Sequence, residues 1–545
     1  MYLKLQTYSE IYLEEYIKQL FIMKKILLFT SVFAMLTSCA MQKEEHVKIS
    51  KEEMHDKVAG AWAAKMIGVM YGREMEFKAV GKLYEDSIPW TPQLIEKSLL
   101  EDDIYGQLSF MHSLEKYGDH ATTKLLAEDF ANASFPLCHA NLQARKNVFD
   151  GIEPPFTGHP DYSMHADDID FQIESDFIGF IHPAMTQSSN AMADSIGRIM
   201  AYGDGLYGGM YVAAMHTLAY KENDIIKIVK DALLAIPKES TYAQCIQDVI
   251  DCYEKDATDW KKAWVLVEKK WAKDDICVPY HDFNIDAKLN GAYIVIGLLY
   301  GQNDLQKTME IAIRCGQDTD CNSANAAAVL GIIHGYIKLP EVFKSHIPAI
   351  ADKPFLHTNS SYNTAIDQTL KFIEQNVIRH GGEVTADMYL IKAQEPKFEG
   401  KLEQAYARKV MSYQTQIKDI GKWTLKGDWK DFIYGDGDQD LYKVANSPND
   451  TLEFTFEGTG ISLLGSWNKD AGKADVYIND KFVKQIDTYF REEAGKYDVN
   501  RAHIFHHMNL NPGKHKVTLV VSKDKHPKSE GHKIYVERAV VYRNK

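Results

Sequence analysis

The residues that say most about chemistry form the acidic motif Gly316-Gln-Asp-Thr-Asp320. Its two aspartates stand two residues apart, just before a run of small, helix-compatible residues at 323–330, and Gly316 gives the backbone room to turn. The pattern predicts two carboxylates on the first turn of a helix. Carboxylate oxygens are ligands that Mg²⁺ prefers. An Asp-x-Asp pair is also common as a solvated helix cap, so the motif alone leaves both interpretations open.

A second acidic cluster, Glu101-Asp102-Asp103, lies far earlier in the chain and precedes another helical pattern at 104–116. Carboxylates that fold close to one another repel unless a cation or a protein partner offsets their charge. The simplest such cation is Mg²⁺. Together the two clusters favour a metal site.

Length and charge limit the class of protein. A chain of 545 residues suggests about two or three domains, and 45% hydrophobic with 25% charged residues is typical of a globular protein. The net charge of −14 argues against a nucleic-acid polymer as partner. Residues 421–545 hold 20 Lys and Arg against 18 Asp and Glu, so the acidity belongs to the first 420 residues.

The periodicity of apolar residues divides the chain into two architectures. Over 51–382 apolar residues recur at three- and four-residue steps, which predicts an all-α domain. Residues 383–420 are charged, and we predict a helical linker there. From 421 to 545 short alternating runs such as Thr451–Phe456 are separated by turn residues, which predicts an antiparallel β-sandwich.

The N-terminal region carries an export pattern. From Met23 a basic start is followed by an apolar run at 26–34 and by Leu36-Thr-Ser-Cys39. This order resembles a bacterial lipoprotein signal, cut before Cys39 with that thiol carrying lipid. The alternative interpretation is a buried helix in a cytosolic protein.

Residues 1–22 are acidic where an export signal is basic, which favours Met23 as the true start. We therefore expect an N-terminal extension and signal peptide over 1–39 and a polar tether over 40–50. The expected location is the cell envelope, with a lipid anchor on Cys39 at the outer membrane or the periplasmic face.

Three motifs of the helical part, in this order, resemble the ADP-ribosylglycohydrolase family. Gly60–Gly72 is similar to its glycine-punctuated first helix, Glu101-Asp102-Asp103 falls at its Thr-Asp-Asp triplet, and Gly316–Asp320 matches its Gly-x-Asp-Thr-Asp signature. The resemblance covers about residues 51–375. It implies an all-α fold with a central cleft, a Mg²⁺ centre of one or two ions, and hydrolysis of a glycosidic bond to a ribose-type sugar.

The resemblance also implies roles for individual residues. Its metal-ligand positions fall on Glu101, Asp102, Asp103, Asp318 and Asp320. Glu101 stands where the family commonly has a hydroxyl ligand, and Cys321 where it commonly has Thr or Ser. A thiol is a poor ligand for Mg²⁺, which puts the second ion in doubt.

Catalysis is assigned to Glu76 together with Asp102 and Asp320. Glu76 falls where relatives place an acidic residue near the anomeric carbon, which implies a general base or a partner of metal-bound water. The alternative for Glu76 is a solvated loop glutamate.

A further acidic segment, 159–176, is not explained by the family motifs. We predict that its His165, Asp168 and Asp170 bind sugar hydroxyls, and that Tyr207 in a glycine-rich turn is a stacking platform. The alternative for the segment is a solvated entrance to a helix, capped by an aspartate.

Two classes of function follow. The first is a Mg²⁺-dependent glycosylhydrolase that cleaves an extracellular riboside, ADP-ribosyl or glycan substrate. The second is a non-catalytic glycan-binding surface lipoprotein that keeps the fold. The sandwich aromatics Trp423, Trp429, Trp467 and Tyr489 could stack on sugars or form the core of that domain.

Overall fold

The computed structural model describes residues 46–273, 276, 278, 283–406, 409–419, 421–434, 440–490 and 499–545. The chain divides into a unit of residues 1–47 and a unit of residues 48–545, which contains both the helical and the β domain. Cys39 and the predicted signal peptide lie outside the described residues. Within these ranges no helix combines the length and the apolar character needed to cross a membrane.

The region predicted to be all-α is helical. Its α-helices, which we number in chain order, are α1 Lys51–Gly72, α2 Asp102–Tyr117, α3 Thr123–Ala131, α4 His139–Phe149, α5 Asp170–Glu174, α6 Asp176–Phe180, α7 Thr186–Gly197, α8 Asp204–Ala219, α9 Ile225–Ala232, α10 Thr241–Lys255, α11 Trp260–Trp271, α12 Ala287–Tyr300, α13 Leu305–Arg314, α14 Thr319–His334, α15 Glu341–Lys344 and α16 Tyr362–Arg379.

Helices α1 and α14 form the centre of this domain, and their backbones touch along glycines of α1. A Cβ atom on Gly60 would lie 2.3 Å from the carbonyl oxygen of Gly331, and one on Gly68 would lie 2.5 Å from the Cα of Ala324. The hydroxyl of Ser323 donates to the Gly68 carbonyl at 2.6 Å. No side chain larger than hydrogen fits these positions, so the small residues fix the distance between the two helices.

A buried ion pair connects α6 to the same two helices. Lys65 of α1 donates to Asp176 of α6 at 2.7 Å, and both side chains are fully buried. The side-chain amide of Asn325 in α14 donates to the other oxygen of Asp176 at 2.7 Å. Because a buried charge is tolerated only when it is paired and hydrogen-bonded, this arrangement specifies how the three helices meet.

The strands are β1 His46–Ser50, β2 Glu383–Val384, β3 Met388–Lys392, β4 Lys409–Gln416, β5 Trp423–Lys426, β6 Lys430–Ile433, β7 Leu441–Ala445, β8 Thr451–Gly458, β9 Gly460–Trp467, β10 Lys473–Ile478, β11 Lys481–Asp487, β12 Val499–His507, β13 Gly513–Val521 and β14 Ile534–Asn544. A small sheet has the order β1-β3-β2. The others form a five-stranded sheet, β11-β10-β13-β8-β5, and a six-stranded sheet, β12-β9-β14-β7-β6 with β4 beside β14.

The C-terminal sheets are antiparallel, as the alternating pattern predicts. Val517 of β13 pairs with Phe454 of β8, and both face a core shared by the two sheets. Trp467 is buried, and the partly buried Trp423 and Trp429 pack against this core. The Trp423 indole donates to the Gln416 carbonyl at 3.0 Å. These three tryptophans therefore contribute to the packing of the sandwich.

The prediction of a helical linker at 383–420 is wrong. The described residues of that stretch form the strands β2, β3 and β4 instead of helices. In β3 the alternation places Tyr389 and Ile391 inside, and β4 exposes its four central residues, Met411, Ser412, Tyr413 and Gln414. Charged residues such as Glu395, Lys397 and Lys401 lie between β3 and β4, so the charged composition of the stretch did not reveal its strands.

The contact between α1 and α14 leads to a stability prediction. Gly68→Ala should destabilise the protein by about 3 kcal/mol, because its new methyl group meets backbone atoms that have no room to retreat. Thermal unfolding followed by circular dichroism measures the loss. The control is Gly151→Ala, which meets no atom within 4 Å and has φ +82°, so only its backbone conformation costs about 1 kcal/mol. Equal losses in the two variants would contradict the close contact.

Candidate active site

A cleft of about 290 Å³ lies where the turn after α1 meets the first turns of α2, α4 and α14. Its walls combine apolar side chains with carboxylates from several separate segments. The lining side chains that could do chemistry are Arg73, Glu76, Asp102, Asp103, Tyr105, Cys138, His139, Asn141, Asp170, Glu174, Asp318, Asp320 and Cys321.

The aspartate motif is held in place by the way that α14 begins. Asp318 is the N-cap residue, and its side chain accepts a hydrogen bond from the Cys321 amide at 3.4 Å. Gly316 has φ +87°, and a Cβ atom there would lie 2.1 Å from the Ala79 carbonyl oxygen. The Phe77 amide donates to the Gln317 carbonyl at 2.9 Å. The motif is therefore attached to the loop that carries Glu76.

Two groups of donor atoms share one aspartate. Glu76, Asp318 and Asp320 offer carboxylate oxygens within 4.8 Å of one another, and Asp103, Asp320 and Cys321 form a second group of the same size. The thiol of Cys321 donates to the two oxygens of Asp103 at 3.5 and 3.6 Å. Asp103 and Asp320 lie in the first turns of α2 and α14, where the helix dipole favours negative charge.

Mutual repulsion and burial disfavour the charged forms of this cluster. Burial and the charge of Asp318 raise the pKa of Glu76 to about 7. Burial, assisted by the charge of Asp318, raises the pKa of Asp320 well above its usual value, and burial with the charge of Asp102 does the same for Asp103. The cluster therefore lacks the positive charge needed to ionise all of its carboxyl groups near neutral pH.

Arg73 is a cation in contact with this cluster. Its guanidinium contacts Glu76, lies 3.1 Å from Glu101 and lies 3.8 Å from Asp320. The Arg73 side chain is 43% exposed, so part of it faces solvent. An arginine in this place offsets part of the charge that a metal ion would offset.

The structure separates the five predicted metal ligands into two sets. Asp103, Asp318 and Asp320 belong to the donor groups. Asp102 is exposed at the cleft, and Glu101 is the N-cap residue of α2 and pairs with Arg73. Glu76, predicted as a base, lies within the first donor group.

The predicted sugar-binding residues also separate. Asp170 lines the cleft and accepts a hydrogen bond from the Asn141 amide at 3.1 Å. His165 and Asp168 are buried and bond to each other at 2.7 Å. Tyr207 lies outside this cleft, in a second cavity of about 280 Å³, where its hydroxyl accepts from the Glu403 amide at 2.7 Å.

Glu174, from the acidic segment predicted to bind sugar hydroxyls, and Asn141, which no motif predicted, also line the cleft. The Asn141 side-chain amide donates to Glu174 Oε1 at 2.8 Å. Within the described part of the chain, Glu174 Oε2 and Asn141 Oδ1 are buried without a hydrogen-bond partner. Burial and the charge of Asp170 raise the pKa of Glu174 well above its usual value. Glu174 stands in the acidic segment already singled out, whereas no motif marks Asn141.

Comparison with known families identifies the helical domain. Residues 50–365 match the family described as ADP-ribosylglycohydrolase. The match covers more than half of the chain, and the chain belongs to this family. A sequence comparison with curated proteins gives no match.

Comparisons with solved structures give weaker similarities. An ADP-ribosylglycohydrolase-related protein complex is 15% identical over 60% of this chain and 99% of that chain, with a TM-score of 0.37. The CBM36-1 domain of a multidomain xylanase from the hindgut metagenome of Trinervitermes trinervoides is 15% identical over 24% and 94%, with a TM-score of 0.16. CBM35 from Paenibacillus barcinonensis is 11% identical over 25% and 100%, with a TM-score of 0.15. Scores below 0.5 carry no argument about function.

The raised pKa of Glu76 leads to a prediction about pH. The folded protein binds the proton of Glu76 more tightly than the unfolded chain does. The stability that this proton contributes is complete below the ordinary pKa of 4.5 and is lost as the pH rises through about 7. In metal-free protein, the free energy of unfolding of the Glu76→Gln variant should fall between pH 4.5 and 8 by about 2 kcal/mol less than that of the wild type, after allowance for solvent screening. Thermal unfolding of the wild type and the variant at pH 4.5 and 8 measures the difference.

The matched control is Glu74→Gln, two residues away. Glu74 is 56% exposed and lies 3.8 Å from Lys97, outside the cluster. Its variant should keep the pH dependence of the wild type. If the stability of Glu76→Gln changed with pH in the same way as that of the wild type, the pKa of Glu76 would not be raised by the cluster.

Proposed function

We propose that the protein is a divalent-cation-dependent glycosylhydrolase that cleaves a riboside, ADP-ribosyl or glycan substrate outside the cytosol. The observation that carries this proposal is the pair of donor groups that share Asp320 at the floor of a cleft. If the cluster served only the fold, its carboxylates would be expected to pair with cations or to lie far apart, because close buried carboxylates oppose folding.

The donor atoms of the first group fit Mg²⁺. Glu76, Asp318 and Asp320 supply only carboxylate oxygens, the hard ligands that this ion takes. When bound, Mg²⁺ would supply a positive charge that orients sugar hydroxyls and acidifies water. The second group includes the Cys321 thiol, which suits Mg²⁺ poorly, so we assign one Mg²⁺ to Asp318 and Asp320 of the first group and leave Glu76 to act as the base.

Glu76 is the residue best placed to accept a proton from attacking water. It lies on a half-buried loop at the cleft, and a bound cation would lower its pKa from the value of about 7 in the metal-free cluster, so that Glu76 is ionised near neutral pH and can accept a proton. Arg73 contacts Glu76 in this structure, so the base acts once that side chain has moved. Asp102, exposed at the same cleft, adds negative charge where positive charge develops on the sugar ring.

Glu174, Asn141 and Asp170 hold the substrate in this proposal. The buried oxygens of Glu174 and Asn141 without partners can accept hydrogen bonds from sugar hydroxyls. Asp170, fixed by the Asn141 amide, offers a further polar group in the same wall. Such fixed polar groups orient a sugar and make its binding specific.

We also propose that the mature protein is anchored in the cell envelope through lipid on Cys39. The support is the order of basic, apolar and Leu-x-x-Cys residues that begins at Met23. Export favours a substrate found outside the cytosol over the reversal of intracellular ADP-ribosylation.

The activity prediction concerns Asp320, which belongs to both donor groups. Asp320→Asn is nearly isosteric, yet it removes one charge from each group. Hydrolysis should fall at least about 100-fold, because a misplaced reacting group costs on that order in rate. The screen uses nitrophenyl glycosides, nucleosides and ADP-ribosyl compounds with and without Mg²⁺, and thermal unfolding measures whether Mg²⁺ still raises the Tm.

The control for that experiment is Asp251→Asn on the exposed face of α10, which should keep both turnover and the Mg²⁺-dependent rise in Tm. Turnover that is untouched by Asp320→Asn would place the active site elsewhere. A wild-type protein that binds Mg²⁺ and turns over none of these compounds would favour the non-catalytic glycan-binding alternative.

The anchor prediction is separate from the fold. Cys39→Ala should leave the protein unprocessed or released from the membrane, while activity per folded molecule stays unchanged. Cell fractionation with immunoblotting measures this. A Cys39→Ala protein of mature size that still sediments with membranes would rule out the lipid anchor.

A further inference from the structure

Three side chains beside the cleft form a donor group that the proposed reaction does not use. His139, His165 and Asp168 each offer a ligand atom, and these atoms lie within 4.8 Å of one another. His139 is the first residue of α4 and lines the cleft, whereas His165 and Asp168 precede α5 and are buried behind it. None of the three belongs to the carboxylate cluster around Asp320.

The contacts of the group are close. His165 Nδ1 lies 2.7 Å from Asp168 Oδ2, and the rings of His139 and His165 have centroids 5.9 Å apart. The Asp168 side chain is fully buried, and that of His165 is 10% exposed.

The backbone of His139 provides an independent observation. Its φ angle is +45°, a conformation that residues other than glycine rarely adopt. Such strain persists only where the surroundings impose it, and it is concentrated at functional sites. Here it occurs at the residue that brings an imidazole to the other two ligands.

The β-sandwich supports the group from another side. The ring of His503 in β12 lies edge-on to His165, with centroids 5.4 Å apart. His503 Nδ1 lies 2.6 Å from the Ser462 hydroxyl oxygen of β9, which fixes the orientation of that ring. The position of His165 is therefore determined by both domains.

We propose that His139, His165 and Asp168 bind a zinc-type divalent cation. The ion would reach them from the cleft, which His139 lines. Two imidazoles and one carboxylate are a ligand set that zinc takes in proteins, with a remaining position for water or substrate. Imidazole suits such an ion better than it suits Mg²⁺, so the two kinds of ion separate between this group and the carboxylate cluster. This inference goes beyond the proposed hydrolase and does not depend on it.

The test measures Zn²⁺ binding to chelator-treated full-length protein in excess Mg²⁺, which occupies hard carboxylate sites. Every protein carries Cys321→Ser, so that the only thiol of the carboxylate cluster cannot take the ion. This background should bind one Zn²⁺ per chain by equilibrium dialysis with elemental analysis. Adding His139→Asn should weaken that binding at least about tenfold, because mutating even a residue that only hydrogen-bonds to a metal ligand lowers metal affinity by about that factor.

Asparagine is the chosen replacement because it tolerates positive φ angles, so the variant should keep the start of α4. An unchanged Mg²⁺-dependent rise in Tm shows that the variant is folded. As a second measurement, Co²⁺ bound to the Cys321→Ser protein should give visible absorption that disappears with His139→Asn. Zn²⁺ affinity that is equal in the two proteins, or absent from the Cys321→Ser background, would overturn the proposal.

Discussion

The contact between α1 and α14 is the constraint on which the rest of the structure depends. Gly60, Gly68 and Gly72 let the two helix backbones touch, and the hydroxyl of Thr319 donates to the Gly72 carbonyl at 2.8 Å. The end of α1 and the start of α14 therefore meet at one place. That meeting brings Glu76, four residues after the end of α1, next to the aspartate motif. Helices with ordinary side chains at this contact would stand farther apart and would separate the donor atoms.

This geometry places several carboxylates close together, and the protein's own positive charges offset only part of their repulsion. Burial and neighbouring charges raise the pKa values of Glu76, Asp103 and Asp320, so a fully ionised cluster requires added positive charge. Arg73 supplies one such charge from an exposed position. A divalent cation would supply two positive charges in a smaller volume. A cluster that destabilises the metal-free protein would then be stabilised by binding the ion.

The sequence predicted those features that are set by local pattern. Helical spacing gave the all-α domain, alternation gave the sandwich, and the Gly-x-Asp-Thr-Asp motif located Asp318 and Asp320. Features set by distant contacts were missed: the strands within 383–420, the role of Arg73, and the place of Tyr207 in a separate cavity. His139 had no signal, because its strained backbone and its neighbours arise only when α4 packs beside 165–168.

We propose that the carboxylate cluster at the start of α14 is a metal centre. Anomalous diffraction from crystals of the full-length protein grown with Mn²⁺, a hard cation that takes the ligands of Mg²⁺, tests it most directly. We expect an anomalous peak bound by Asp318 and Asp320, with the Arg73 guanidinium displaced from Glu76. Diffraction that shows ordered Mn²⁺ elsewhere and Arg73 still paired with Glu76 would contradict it.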